Sequence, residues 1–320
     1  MAVGGVLFFA LFEITLRIVF YHSMDFDIEM WKYATTIKQV AADPVIGHEH
    51  APGTEAFLMG VDVKINRLKL RERDYGYAKP PGVKRVLMLG DSLTFGWGVP
   101  FEETTAKLLE KRLNEAVGSQ WGGKWQVINA GVGNYNTSQE VGYFLNDGYR
   151  YDPDVVVLNY FINDAEPTPT RKANPLLFWS YAYIYLKGRL DVLGRGAFGG
   201  QDWAEYYLSL YEDEQPGWKE AVKNIERLAA YCKEKNISLL VANYPELHDF
   251  KNYRFAKVGN RLKALADGAG ASFIDLLGAV GGQREPGLWV SPTDPHPNGR
   301  ANRLFADALA PVVGRLAGGP

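Results

Sequence analysis

Four short polar segments of the sequence carry the residue types that acyl-transfer chemistry requires. Ser92 can serve as a nucleophile if a base removes its proton, and histidine does this near neutral pH. His296 is such a histidine. Asp294 lies two residues earlier, in a loop made rigid by prolines, and can fix the tautomer of the imidazole ring. The sequence therefore predicts a catalytic set of Ser92, His296 and Asp294.

An acyl-transfer site also needs hydrogen-bond donors for the oxyanion that develops on the substrate carbonyl. The backbone N–H groups of Ser92 and Asn134 and the side-chain amide of Asn163 are donors of the right type. We expect these three groups to form the oxyanion hole. Asp91 and Ser92 are also common helix caps, so the segment around Ser92, taken alone, leaves a purely structural role open.

The elements that must position these residues alternate along the chain. Apolar runs predict strands at 85–89, 125–130, 155–161, 237–243 and 271–277. Helical patterns lie between and after them, at 104–117, 137–146, 218–235 and 298–316. Such alternation favours a parallel sheet with helices on both faces. Ligands of these sheets gather at the carboxyl ends of the strands, which is where Ser92, Asn134 and Asn163 are expected.

Three other positions carry more local predictions. Thr137 and Glu140 stand in capping-box relation at the start of the helix predicted at 137–146. His248 follows a predicted strand and could line the site, although a loop histidine of this kind is more often exposed. Asp164, next to Asn163, is expected to be a structural hydrogen-bonding group.

The alternation stops between residues 167 and 216. Residues 176–187 are strongly aromatic and predict a helix, and a Gly-rich stretch follows at 193–200. Loops after strands carry function in this architecture, so the insertion could form a lid or a pocket for an acyl group. A helix packed on the domain, or against a membrane, is the alternative that the sequence leaves open.

The first 22 residues predict a single N-terminal transmembrane helix. Residues 2–21 are apolar except for Glu13, Thr15 and Arg17, and about 20 such residues span a bilayer. Glu13 and Arg17 can pair on one helix face, and a clear signal-peptidase site is absent. An amphipathic helix on a membrane or on the domain surface is the alternative. No Lys or Arg precedes the segment to set its orientation; we expect the catalytic domain outside the cytoplasm.

The lead-in, the histidines, the net charge and the single cysteine limit the kinds of partner and metal site that the protein could have. Residues 23–80 are predicted to be an irregular lead-in with one short hairpin near 61–70. His48 and His50 are expected to be exposed loop histidines, since no other Cys or His lies nearby to complete a metal site. A formal net charge of −2 gives no basic field, so no nucleic-acid partner is predicted, and no protein partner is indicated. Cys232, the only cysteine, is expected to be a small buried residue.

The four polar segments together resemble those of the SGNH (GDSL-type) hydrolases. The matching segments, in family order, are Gly90-Asp91-Ser92-Leu93, residues 129–137, Asn163-Asp164 and Asp294-Pro295-His296-Pro297. The resemblance covers roughly residues 80–310. It implies a flavodoxin-like three-layer α/β/α sandwich over residues 81–316, a Ser-His-Asp triad and no metal or organic cofactor.

The sequence departs from the family pattern at three positions. The oxyanion glycine of the second segment aligns with Asn134, and Gly133 just before it is the alternative donor. Asn tolerates a positive φ better than most residues, so Asn134 can keep this role. Phe161 occupies a position that is usually glycine in the third segment. The acid of the family usually lies three residues before the histidine, where Thr293 stands; we assign the role to Asp294.

The sequence thus predicts a serine esterase that hydrolyses an acyl ester, such as an O-acetyl group, of a glycan, a lipid or a small molecule. Two alternative functions stay open: the first uses the same catalytic residues, and the second uses none of them. An O-acyltransferase would replace water by an acceptor hydroxyl in the second step. A catalytically silent module would bind a glycan, a lipid or a partner.

Overall fold

The computed structural model describes residues 2–117, 124–168, 179–197 and 202–318. The strands, in chain order, are β1 Lys38–Val40, β2 His48–His50, β3 Glu55–Leu58, β4 Val61–Lys64, β5 Val83–Leu89, β6 Lys124–Asn129, β7 Val155–Tyr160, β8 Ser238–Asn243, β9 Ser272–Asp275, β10 Trp289–Ser291 and β11 Asp294–Pro297. The helices are α1 Ala2–His22, α2 Phe26–Thr36, α3 Ser92–Phe95, α4 Thr105–Arg112, α5 Thr137–Asn146, α6 Tyr181–Ala197, α7 Trp203–Ser209, α8 Pro216–Glu234, α9 Ala256–Ala269, α10 Leu277–Val280 and α11 Gly299–Leu316.

The central sheet has five parallel strands in the order β6-β5-β7-β8-β9. Val86 of β5 pairs with Val127 on one side and with Val155 on the other. Counted from β5, this is the 2-1-3-4-5 order of flavodoxin-like sheets. The predicted parallel sheet and fold class are confirmed, and each predicted strand of the sheet is present within a few residues of its expected bounds.

Helices cover both faces of this sheet, because successive side chains of a strand point to opposite faces. Leu87 and Leu89 belong to a core shared with α5, α8 and α9. Val86 and Met88 belong to a second core shared with α4 and α11. Strands buried on both faces carry nearly continuous apolar sequences, which is why β7 is so apolar.

The lead-in before the sheet is more ordered than predicted, since it contains α2 and two short hairpins. The hairpin expected near residues 61–70 lies earlier, with β3 pairing with β4. Its two-residue turn is Met59-Gly60, both with positive φ (54° and 78°), as a type I′ turn requires. Tyr33, Ile37, Leu58 and Val63 of the lead-in pack with Phe95 and Trp97, directly after the serine segment, in a third apolar core.

Buried charged residues tie the lead-in to the domain that contains the sheet. The guanidinium of Arg71 donates to the backbone carbonyls of Phe95, Gly96 and Val99. Glu72 forms a buried ion pair with Lys107 of α4, with 2.7 Å between the charged atoms. Because breaking a buried pair leaves an uncompensated charge, this segment is an integral part of the fold.

The start of α5 differs by one residue from the predicted capping box. Asn136, whose backbone is extended (φ −119°, ψ 172°), is the N-cap, and its partner is Gln139. The hydroxyl of Thr137 instead donates to the carboxylate of Asp164. The helix itself has the predicted bounds.

The aromatic insertion is described in part. Residues 181–187 are helical, as predicted, whereas residues 169–178 and 198–201 lie outside the described residues. Of the Gly-rich stretch, residues 193–197 belong to the end of α6.

Helix α1 is long and apolar enough to cross a membrane, over Gly4–Tyr21 with a mean hydropathy of 1.7. By length and composition it could be an anchor or a signal sequence. The predicted Glu13–Arg17 pair is present, with 2.7 Å between the charged atoms.

Candidate active site

Ser92 is the first residue of α3, directly after the carboxyl end of β5. Asp91 precedes it as the N-cap, with its carboxylate accepting the N–H of Leu93. The turn after β6 lies against this helix so closely that a Cβ on Gly131 would be 2.2 Å from the backbone nitrogen of Phe95. Glycine is therefore required at residue 131, and the close approach brings the turn that ends at Asn134 next to Ser92.

Ser92, His296 and Asp294 are in contact, as the sequence predicts. The Ser92 Oγ lies 2.9 Å from His296 Nε2, and His296 Nδ1 lies 2.6 Å from Asp294 Oδ1. A carboxylate can only accept, so Nδ1 carries the proton and Nε2 is free to accept the hydroxyl proton of Ser92. Thr293, at the usual family position of the acid, is exposed and contacts Ser291.

The carboxylate of Asp294 is fixed by two further donors. Its Oδ1 also accepts the backbone N–H of His296 at 3.1 Å, and its Oδ2 accepts the indole N–H of Trp97 at 2.8 Å. Burial alone would raise the pKa of Asp294. The hydrogen bonds and charge of His296, together with the bond from Trp97, outweigh burial and lower the pKa below its ordinary value. The sequence analysis did not identify Trp97; its place five residues after Ser92 carries no signal by itself.

The turn after β6 offers one free backbone donor. The N–H of Gly131 donates to the Asn129 side chain, that of Val132 to the Gly90 carbonyl, and that of Gly133 to the Tyr33 hydroxyl. Within the described part of the chain, the N–H of Asn134 has no acceptor. Asn134 has a positive φ of 65° and is exposed. The geometry thus favours Asn134 over Gly133 as a donor to a ligand.

The side chain of Asn163 contacts Asp91, the residue before Ser92. Its amide donates to the buried carboxylate of Asp91 at 3.0 Å, which leaves its second N–H available. Burial raises the pKa of Asp91, and the bonds from Leu93 and Asn163 oppose that rise. Phe161, in the position of the family glycine, packs against both cores of the sheet.

Tyr33 of α2 reaches the turn after β6 through a buried chain of hydrogen bonds. His50 Nδ1 lies 3.1 Å from the Lys69 carbonyl and therefore donates to it. His50 Nε2 then accepts the Tyr33 hydroxyl proton at 2.6 Å, and the Tyr33 oxygen accepts the Gly133 N–H at 3.0 Å. Burial, followed by the charge of Lys38, lowers the pKa of His50 to about 3, so the ring stays neutral.

The prediction that His48 and His50 are exposed loop residues is wrong. Both lie in β2, His48 is half-buried and His50 is fully buried. The reason is that α2 covers the strand and places the phenol of Tyr33 against the His50 ring. A contact between residues seventeen positions apart on different elements leaves no local sequence signal.

Two clefts are lined by residues of the segments that carry Asn134 and His296. One, of about 780 Å³, is lined by Asn134 together with residues of the lead-in, α5 and the start of α8, including Lys38, His48 and Glu166. The other, of about 630 Å³, is lined by Pro295, which lies between Asp294 and His296, and by residues such as Trp203 and His248.

The remaining predicted residues have the expected surroundings. His248 is exposed, with its ring against Trp203 and Trp289 and its Nδ1 on the Glu246 carboxylate. Asp164 is buried and accepts the Phe161 N–H, as expected of a structural group. Among the described residues, no group of three or more His, Cys, Asp or Glu side chains is placed to hold a metal ion.

Comparison with known proteins gives the class of this site. The sequence profile of the GDSL-like Lipase/Acylhydrolase family matches residues 88–304. Among solved structures, TesA is 15% identical with a TM-score of 0.48, over 73% of this chain and 99% of its own. LAE5, an alpha/beta hydrolase enzyme from the metagenome of Lake Arreo in Spain, is 16% identical with a TM-score of 0.49, over 75% of this chain and 98% of its own. A catalytic mutant of Axe2, an acetylxylan esterase from Geobacillus stearothermophilus, is 15% identical with a TM-score of 0.46, over 74% of this chain and 95% of its own. No curated protein sequence matches the chain.

The family match covers more than half of the chain and contains the segments of Ser92, Asn134, Asn163 and His296. The chain therefore belongs to the GDSL-like lipase/acylhydrolase family, the SGNH hydrolases, and is an esterase of that class. The predicted family and enzyme class are confirmed.

Replacement of Trp97 tests how Asp294 is held. Trp97→Phe removes an N–H that stabilises the ionised carboxyl group, so the pKa of Asp294 should rise toward its ordinary value. A lowered carboxyl pKa stabilises the fold above the unfolded-state pKa of about 3.9, and this stabilisation is lost as the pH falls through the folded-state pKa. The part of the stability difference between the parent and Trp97→Phe that depends on pH should therefore be present at neutral pH and disappear in acid.

Carbon-13 NMR titration of aspartate carboxyl groups measures the pKa directly, and denaturant unfolding at several pH values measures the stability. Trp203→Phe is the matched control, because the Trp203 indole packs on Tyr207, His248 and Phe255 and not on Asp294. An Asp294 pKa that is the same in the parent and in Trp97→Phe would contradict the assignment of Trp97.

Proposed function

We propose that the chain is a serine esterase in which Ser92 is the nucleophile, His296 the general base and Asp294 the acid that orients His296. The observation that carries this proposal is the unbroken line of contacts from Ser92 Oγ to His296 Nε2 and from His296 Nδ1 to Asp294. A base within hydrogen-bond reach of the nucleophile, itself oriented by a third group, is the arrangement that activates a serine.

The reaction follows from these roles. Ser92 Oγ attacks the ester carbonyl carbon while its proton moves to His296 Nε2. The tetrahedral intermediate collapses, the bond to the alcohol oxygen breaks, and the alcohol leaves with the proton from His296. A water molecule then attacks the acyl group on Ser92, gives a proton to His296, and releases the carboxylic acid as the proton returns to Ser92 Oγ. Asp294 stays ionised and stabilises the imidazolium in both steps.

We assign the oxyanion hole to the backbone N–H groups of Ser92 and Asn134 and to the Asn163 amide. Ser92 is the first residue of α3, where N–H groups have no partner inside the helix. Asn134 has the only N–H from residue 131 to residue 135 without an acceptor in the described part of the chain. We prefer Asn134 to Gly133 in this role because the Gly133 N–H already donates to the Tyr33 hydroxyl.

Two clefts adjoin residues next to the proposed triad: Asn134 lines the larger cleft and Pro295 lines the other. Both clefts mix apolar walls with polar side chains. An acyl group, such as O-acetyl, on a glycan, a lipid or a small molecule fits this lining.

We further propose that α1 anchors the protein in a membrane with the catalytic domain outside the cytoplasm. The length and hydropathy of α1 support the anchor. The segment that follows it carries three acidic side chains at residues 22–31 and its first Lys at residue 32.

Removal of the nucleophile or of the base tests the proposed chemistry. Ser92→Ala and His296→Ala should each lower the turnover of a short aryl ester by a factor on the order of 10⁶, because the triad acts as a unit. Circular dichroism and thermal unfolding should show that both variants are folded. Ser291→Ala is the control. Ser291 lies on the other strand of the hairpin that carries His296, and the variant should retain activity. Full turnover in folded Ser92→Ala would contradict the proposal.

Tyr33→Phe tests whether α2 positions the oxyanion turn. The change removes the acceptor of the Gly133 N–H, and losing a hydrogen bond of about 1 kcal/mol should allow the turn to move. We expect kcat to fall about fivefold with little change in KM, since the same turn carries the Asn134 N–H, which is assigned to the transition state.

Tyr151→Phe is the matched control for Tyr33→Phe. The Tyr151 hydroxyl is also buried, has no partner among the described residues and lies before the amino end of β7, at the opposite end of the strands from Ser92. It should keep the parent kcat. Equal kcat values for Tyr33→Phe and the parent would show that Tyr33 does not position the oxyanion turn.

A further inference from the structure

Helices α1 and α6 are joined by the two charged side chains of α1. The carboxylate of Glu13 accepts the Ser180 hydroxyl at 2.9 Å and the backbone N–H groups of Tyr181 and Ala182 at 3.1 and 2.9 Å. Glu13 thus satisfies the unpaired donors at the start of α6, as an N-cap does. Arg17, which pairs with Glu13, donates to the carbonyl of Trp179 at 2.6 Å. The charges that seem out of place in an apolar helix therefore serve to hold α6.

The contact continues along both helices in the same direction. Phe20 of α1 packs on Tyr185, with ring centroids 5.6 Å apart, and Asp25 after α1 pairs with Arg189 at 2.7 Å. Helix α6 therefore runs parallel to the second half of α1 and past its end. Glu13 is nine residues before the end of α1, about 14 Å along the helix axis. Helix α6 therefore begins beside the middle of α1 and not at its end.

The side of α6 that these contacts leave open is an apolar stripe. It consists of Trp179, Tyr183, Leu186 and Leu190, with exposed fractions of 78%, 36%, 38% and 64%. Spacings of three and four residues place Tyr183, Leu186 and Leu190 on one face of α6, and Trp179 lies two residues before the helix. We call them the α6 stripe. Apolar side chains of α1 are exposed as well, including Val6, Phe8, Leu11, Ile14 and Ile18.

We propose that α1 and α6 form one lipid-facing unit, and that the α6 stripe faces the phospholipid bilayer that α1 enters. This inference rests on the membrane anchor proposed above. Continuity with α1 identifies the occupant as lipid: α6 starts beside the middle of the anchor, at the level of the hydrocarbon, and reaches the headgroups near the end of α1. The exposed Lys187, in the half of α6 nearer that end, suits anionic headgroups.

The polar atoms at the α1–α6 contact are paired with one another, as atoms close to lipid hydrocarbon must be. Polar groups there must be satisfied inside the protein. The Glu13 carboxylate accepts from four groups, and Arg17 bonds to Glu13 and Trp179 while its guanidinium lies 4.8 Å from the centre of the Tyr181 ring.

The short distance between the end of α1 and His296 indicates the substrate class of the proposed esterase. Phe26 lies four residues after the end of α1, and its ring centroid is 6.2 Å from that of His296. Four residues reach at most about 14 Å, so, with the length of the Phe26 side chain added, the His296 ring is held within about 25 Å of the membrane end of α1. We infer that the substrate is an amphiphile in the same leaflet, a lipid or lipid-linked molecule with its ester bond at the level of the headgroups.

Single-cysteine labelling of the full chain tests the membrane contact without requiring activity. The native Cys232 is buried, and burial raises the pKa of its thiol to about 12, so it should not react with the label. Leu186→Cys and Leu190→Cys place a polarity-sensitive fluorophore on the α6 stripe. Tyr149→Cys is the control, since Tyr149 is also exposed but lies at the far edge of the sheet. The proteins are reconstituted in vesicles of phosphatidylcholine and phosphatidylglycerol.

Labels on the stripe should lose fluorescence to nitroxide-bearing lipids and resist aqueous iodide, whereas the label at residue 149 should show the reverse. Stripe labels quenched by iodide as strongly as the control would overturn the proposal. Stripe labels shielded from both quenchers would also overturn it, because protein and not lipid would then cover the stripe.

Turnover tests the substrate class separately. The pair Leu186→Gln and Leu190→Gln should lower hydrolysis of a phospholipid ester in vesicles while leaving a water-soluble aryl ester unchanged. Equal loss on both substrates, or no loss on the vesicle ester, would overturn the membrane-substrate inference. Ser92→Ala separates the two claims: if it retains turnover, the proposed triad fails, while the lipid-quenching result stands on its own.

Discussion

The turn from β5 into α3 depends on backbone packing that leaves no room for side chains. A Cβ on Gly90 would lie 2.0 Å from the Thr94 hydroxyl, and one on Gly131 would lie 2.2 Å from the backbone nitrogen of Phe95. This close approach joins the ends of two neighbouring strands and sets Ser92 beside the turn that carries Asn134. The hydrolase fold supplies the sheet, and these two glycines allow α3 and the turn after β6 to approach each other closely.

The lead-in completes this arrangement from outside the sheet. Arg71 holds the backbone after α3, and Tyr33 holds the turn after β6. Phe26 stacks near the His296 ring, which also contacts Trp97. A segment between an apolar N-terminal helix and the first strand of the sheet thus touches the site at several points. The position of α1 and the geometry of the proposed active site are therefore coupled through one short helix.

The sequence predicted the parts of the fold that local patterns encode. Apolar runs and helical periodicity located the sheet, and the motif around Ser92 and His296 located the contacts between them. It did not reveal Trp97, Tyr33 or the burial of His50, because these depend on contacts between distant elements. The hairpin of the lead-in was misplaced because the positive φ of Met59 gives no clear signal in sequence. Asn134 and Gly133 could be ranked only once the acceptor of the Gly133 N–H was known.

The central claim is that His296 activates Ser92 as a nucleophile. The most direct test is mass spectrometry of the full chain after reaction with a fluorophosphonate, which modifies activated serines. We expect a single adduct on Ser92, and short aryl esters should compete with its formation. The adduct should be absent in Ser92→Ala and strongly reduced in His296→Ala. No adduct on folded protein, or an adduct on a different serine, would contradict it.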